Sequence, residues 1–179
     1  MPRALAADEI PGLVGDFGQA ARRARLLLEV LEVVQGVWGP DRVAVRLSPT
    51  AWVNDMIDSD PAGTFTHVAR ELKGRHLAFL HVVEPVAGAA GGGGRVTPRL
   101  REAFGGPLML NGGVLAESAE AALARGEGRL VSFSVPFLAN PDLSGRFEVD
   151  AELKVPDPAT FYGGDEKGYT DYPAPVVLG

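Results

Sequence analysis

The 179-residue sequence predicts an α/β fold built on about four parallel strands, and three observations point that way. Runs with strand character alternate with helical stretches through the whole order, helix then strand, four times over; this is the pattern of right-handed βαβ units on a parallel sheet. The most strand-like of these runs, RVAVRLSP at Arg42 to Pro49, alternates cleanly, with Val43, Val45 and Leu47 to one side and Ala44, Arg46 and Ser48 to the other. Finally, the expected strands end in Arg46 to Pro49, Glu84-Pro85, Asn111 to Gly113 and Phe133 to Val135. In parallel sheets chemistry gathers at the carboxyl ends of the strands, so the candidates share one face.

Arg46 sets the chemical question. An unpaired buried guanidinium costs several kcal/mol, so an arginine on a buried strand needs an acceptor opposite it. An anionic ligand, a protein carboxylate, or an edge position that lets the side chain reach water would each meet that need. Charged residues are rarely fully buried unless paired, which favours the last two.

Composition narrows the classes. The length suits one domain spanning residues 1–179, with a real core. A net charge of −6 and scattered cations argue against a nucleic-acid partner. The absence of cysteine excludes disulfides and thiolate metal sites and suits a reducing cytoplasm. No apolar run is long enough to span a bilayer, and Met1 to Pro11 has no signal-peptide core, so a soluble, cytoplasmic protein is expected.

In chain order, Asp8 and Pro11 open a helix that runs to Trp38, about 40 Å long at 1.5 Å per residue. Leu13, Phe17, Ala20 and Ala24 form one stripe, continued by Leu27, Leu28, Leu31 and Val34; Gly36 and Gly39 close the helix. A polar loop from Ser48 to Ser59 leads to Asp60-Pro61, a capped helix start for Pro61 to Lys73. Asp55, Asp58 and Asp60 lack the glycine and terminal glutamate of a calcium loop and read as turn and cap residues; no metal is expected. A strand at Ala78 to Val83 follows, then a Gly88 to Gly94 linker without the lysine of a phosphate cradle. Helix Thr97 to Phe104, strand Pro107 to Leu110, helix Ala116 to Arg125, strand Arg129 to Phe133 and a turn at Ser134 to Pro136 complete the order. His81, on an apolar strand, reads as a core histidine, Glu84 as a turn residue, and Asp171 and Tyr172 as a polar tail.

Six ordered blocks carry a resemblance. RVAVRLSP, DSDPAGTF at Asp58 to Phe65, HVVEP at His81 to Pro85, PLMLNGGVLAESAEAAL at Pro107 to Leu123, FLANPDL at Phe137 to Leu143 and DPATFYGGDEKGYTDYP at Asp157 to Pro173 together resemble the carboxyl-terminal half of the old yellow enzyme family. Arg3 to Ala21 is similar to the helix before that family's fourth strand. The resemblance implies part of a (β/α)8 TIM barrel that binds FMN, takes hydride from NAD(P)H and reduces activated alkenes. It further implies that Arg46 meets the pyrimidine end of the flavin, where charge develops on reduction. Asn111, Gly112 and Gly113 would form the phosphate loop, and Phe161 and Tyr162 would lie near the dimethylbenzene edge.

The departures from the family are as informative. Ser134-Val135 stands where the family has Gly-Arg, which removes a phosphate-gripping arginine and is expected to weaken FMN binding. The family's fourth strand, with its His-x-x-Asn-x-Tyr or His-x-x-His-x-Tyr motif, would fall between Ala21 and Arg22. None of His67, His76 or His81 is followed three residues on by Asn or His, so no catalytic residue is assigned. Losing that strand would fuse two helices into the long first one and leave a half-barrel with two open edges and one uncovered face. Either the first helix and the tail cover that surface, or two copies associate as a homodimer.

Overall fold

The computed structural model describes residues 10–50, 58–84, 94–162 and 165–173, with side chains from residue 24 onward. Asp8, Asp55 and most of the Gly88 to Gly94 linker lie outside the described residues. The chain divides into two compact units, 1–131 and 132–179.

The first unit is a four-stranded parallel sheet with helices between the strands. Helix α1 (Ile10–Trp38) is followed by a 3-10 turn at Pro40–Arg42 and strand β1 (Val45–Leu47). Then come α2 (Pro61–Leu72), β2 (Leu80–Val83), α3 (Thr97–Phe104), β3 (Leu108–Asn111), α4 (Ala116–Ala124) and β4 (Leu130–Val131). Spatial order follows chain order, β1-β2-β3-β4, and every pairing is parallel. Sequential parallel order is how one sector of a (β/α)8 barrel is built.

Local chemistry explains the helix bounds. Asp60 accepts a hydrogen bond from the Gly63 amide at 2.9 Å, with Pro61 in the first turn of α2, while Asp58 accepts from the Asp60 amide. The turn-and-cap reading therefore fits Asp58 and Asp60. Helix α1 runs through Ala21 and Arg22 without interruption.

One face of the sheet is packed. Val45, Leu47, Leu80, Val82 and Leu108 meet Ala24 and Leu31 of α1, Val68, Ala69 and Leu72 of α2, and Leu100 and Phe104 of α3 in one core. Leu72, Leu80 and Leu100 are wholly buried, each stabilising the fold by about 1.5–3 kcal/mol relative to exposure.

The second unit holds two short helices, α5 (Val135–Ala139) and α6 (Leu143–Glu148), and a 3-10 turn at Pro158–Thr160. The turn expected at Ser134 to Pro136 is instead the start of α5: Pro136 needs no amide partner there, and the Ser134 carbonyl accepts from Phe137 and Leu138. Asn140, wholly buried, donates to the carbonyls of Pro136 and Lys154 and accepts from the Lys154 amide, tying the following segment to α5. Buried Arg146 donates to Asp142 at 2.9 Å and to the Glu152 carbonyl at 2.7 Å.

Candidate functional site

The second face of the sheet carries the candidates from the first unit. Register aligns Arg46 with His81 and His81 with Met109, while Leu130 extends the row across β4. Val83 and Asn111 form a row two residues nearer the carboxyl ends, on the same face. The burial patterns agree, since Val45, Leu80 and Leu108 alternate with this row and point into the core.

Arg46 meets the last of the three needs, an edge position open to water. It is exposed on a strand that, among the described residues, pairs only with β2, so the guanidinium reaches solvent and needs no buried acceptor. His81 departs from expectation. It is half-buried beside Arg46, on the face opposite the core. Burial lowers its pKa, and the Arg46 charge lowers it further, so the ring favours its neutral form. The apolar neighbours of His81 in sequence suggest a core residue; its register with Arg46 across the sheet, which local sequence does not carry, sets it on the other face.

At the carboxyl end of β3 the chain turns through Gly112 (φ 121°) and Gly113 (φ 61°), backbone conformations that favour glycine. The Asn111 carbonyl accepts from the Glu84 amide, and Val114 is buried beyond the turn. The α4 entry is held by Ser118, whose hydroxyl accepts from the Leu115 amide and donates to the Leu115 carbonyl. The loop thus delivers a backbone turn and a helix start at the same end of the sheet as Asn111.

Glu84 has a structural task. Only 4% exposed, it accepts hydrogen bonds from the Val96 and Thr97 amides at 2.8 Å each and from the Thr97 hydroxyl, capping α3 across a sequence gap of twelve residues. Its carboxylate is committed to α3.

The remaining candidates belong to the second unit. Ser134 and Val135 open α5, with Val135 exposed. Phe161 is half-buried, and its carbonyl accepts from the Tyr169 hydroxyl at 2.7 Å; Tyr162 is 92% exposed. Asp171 accepts from the Gly168 amide and the Tyr172 hydroxyl from the Asp157 amide, both local ties within the unit. Phe133 meets Phe147 edge to face at 5.1 Å. Among the described residues no group of three or more His, Asp or Glu is placed to hold a metal ion, and no helix is long and apolar enough to cross a membrane.

A model of the NADH:flavin oxidoreductase / NADH oxidase family matches residues 2–154. This chain belongs to that family. It is 32% identical to 12-oxophytodienoate reductase 2 of Arabidopsis thaliana, a match covering 97% of this chain and 58% of the relative. Among solved structures, the old yellow enzyme homologue from Zymomonas mobilis superposes with a TM-score of 0.80 at 32% identity, covering 96% of this chain and 61% of that one. Morphinone reductase superposes with a TM-score of 0.74 at 36% identity, covering 97% and 58%. These neighbours are TIM-barrel enzymes, so the sheet is a sector of that barrel. The chain spans between 41% and 58% of the length of curated relatives in the family. The Arabidopsis match runs over 218 aligned positions, more than this chain has residues, so the relative carries residues inside the matched span that have no counterpart here.

The family's cofactor is FMN. On one face of its sheet the first unit presents an exposed cation in Arg46 with His81 beside it, and at the end of β3 a glycine turn whose backbone carries no Cβ.

Proposed function

We propose that this chain is an FMN-binding oxidoreductase fold of the old yellow enzyme type in which NAD(P)H-dependent reduction of activated alkenes is impaired. The observation that carries the reading is the shared face: Arg46 and Asn111 point to the same side of the sheet, with the Gly112-Gly113 turn at its carboxyl end. In this reading Arg46 meets the pyrimidine end of the ring. The backbone of Asn111, Gly112 and Gly113, with Ser134 and Val135, receives the phosphate, and Phe161 and Tyr162 border the dimethylbenzene edge. Bound FMN would supply hydride, drawn from NAD(P)H, to an activated alkene. Support for a nicotinamide reductant comes from morphinone reductase, solved in complex with tetrahydroNAD.

Impairment follows from what the residues lack. Hydride transfer needs a substrate oriented against the ring, and no histidine here has the family's partner three residues on. Val135 in the arginine's place leaves a phosphate dianion without its bidentate partner. The exposure of Arg46 favours a second reading, a non-catalytic half-barrel that binds flavin weakly or not at all. We further read the two units as parts of one truncated domain, the cysteine-free chain as cytoplasmic, and the open sheet edges as the contact surfaces of a homodimer.

The test is the purified protein's visible spectrum and its NADPH consumption with an enone. The impaired reading expects substoichiometric flavin absorbance and no enone-dependent turnover. A yellow, stoichiometric flavoprotein that reduces the enone would refute impairment, and failure to bind added FMN at any concentration would favour the non-catalytic reading.

A further inference from the structure

Helix α1 is apolar on more of its circumference than its visible neighbours require. Gln35 donates to the Arg75 carbonyl just past α2, and Ala24 and Leu31 are buried in the core, so these positions mark the side toward α2 and the sheet. At about 100° per residue, Leu26, Val30, Val33 and Val37 fall on the opposite side of the helix from Gln35. They are 70%, 52%, 70% and 72% exposed. The polar strip lies elsewhere, at Arg25, Glu29 and Glu32, where Arg25 pairs with Glu29. A helix with water on one strip and apolar residues on the others is built to sit between neighbours.

Two further features point to the missing neighbour. Strand β1, beside α1 at the start of the sheet, has no partner on its outer edge among the described residues. At the far end β4 also has no partner on its outer side among the described residues, and exposed apolar residues recur there, at Leu123 on α4 and Leu130 on β4. The two edges are complementary, since each can accept a parallel strand and a two-fold axis brings β4 of one copy against β1 of the other. Four strands from each of two copies make eight, the number at which a parallel α/β sheet closes around a filled interior.

We infer that the Leu26, Val30, Val33 and Val37 stripe is the docking surface for α4 of a second copy, so that the dimer closes head to tail through α1 and β1 of one chain and α4 and β4 of the other. This rests on the half-barrel reading above and is independent of whether FMN binds. The open face carrying Arg46 then acquires its second wall from the partner copy, and the site is incomplete in a single chain.

Sedimentation equilibrium on the full chain tests this, with FMN titration run in parallel to judge the flavin reading separately. The wild type is expected at twice the chain mass. Val30→Lys/Val33→Lys on the stripe and Leu123→Lys on the opposing helix are each expected to raise the dimer dissociation constant at least about tenfold. Circular dichroism should show helix content retained in both variants. A monodisperse monomer in the wild type overturns the inference. So does a dimer insensitive to Val30→Lys/Val33→Lys, and so does one that resists Leu123→Lys alone, which would mean that two α1 helices pack against each other instead.

Discussion

The two faces of this sheet differ in kind. One is covered by α1, α2 and α3 and holds Leu72, Leu80 and Leu100 out of water completely; the other carries Arg46, His81, Met109 and Leu130, exposed or half-buried. A parallel sheet is normally buried on both faces. The contrast separates what holds the fold from what could do chemistry, and puts the second on the face opposite α1, α2 and α3.

Substitutions should respect that division. Leu80→Ala, on the packed face, is expected to cost about 2–5 kcal/mol in urea denaturation, against less than about 1 kcal/mol for Leu130→Ser on the open one. Equal losses would erase the distinction. Glu84→Gln keeps the shape but weakens the α3 cap, and is expected to cost about 1–3 kcal/mol with faster hydrogen exchange at Val96 and Thr97. Unchanged protection at those two amides would remove the cap from the account.

On the open face the expected effects are electrostatic. Arg46→Gln should leave stability within about 0.5 kcal/mol and raise the His81 pKa part of the way toward its ordinary value, burial being the larger cause of the depression. Proton NMR of the imidazole reads this directly, and an unmoved titration would mean that the two side chains do not interact. Because the folded-state pKa of His81 lies below the unfolded one, the unfolded chain binds more protons between the two values. Stability from this group is therefore present above about pH 6.5 and lost as pH falls through the folded pKa. His81→Gln should flatten that part of the acid limb. Glu127 acts at lower pH: burial pushes its pKa up, but hydrogen bonds from Arg125 and Arg95 hold it below the usual range. Its contribution is lost only as pH falls below the ordinary carboxylate value.

Much of the covered half was legible in the sequence, because its signals are local. Asp60-Pro61 and Thr97-Pro98 mark helix starts within a few residues, and α2, α3 and α4 form within a residue of where those signals put them. Strand β1 is shorter than its alternation suggests, three residues where Val43 to Ser48 alternate, since a ladder also needs partners and among the described residues β1 has one on one side only. The same edge position exposes Arg46, and no local pattern reveals which strand lies at an edge. Glu84 reads locally as a turn residue, while its partners lie twelve or more residues on. Helix α6 leaves no periodic signal in the sequence, because six residues are too few for a helical repeat to stand out.

FMN fluorescence titration of the wild type against Arg46→Gln tests most directly whether Arg46 serves a flavin from the face opposite α1, α2 and α3. Weak, saturable binding by the wild type that falls by about tenfold or more in Arg46→Gln is the predicted result. Identical titration curves for the two proteins would contradict it.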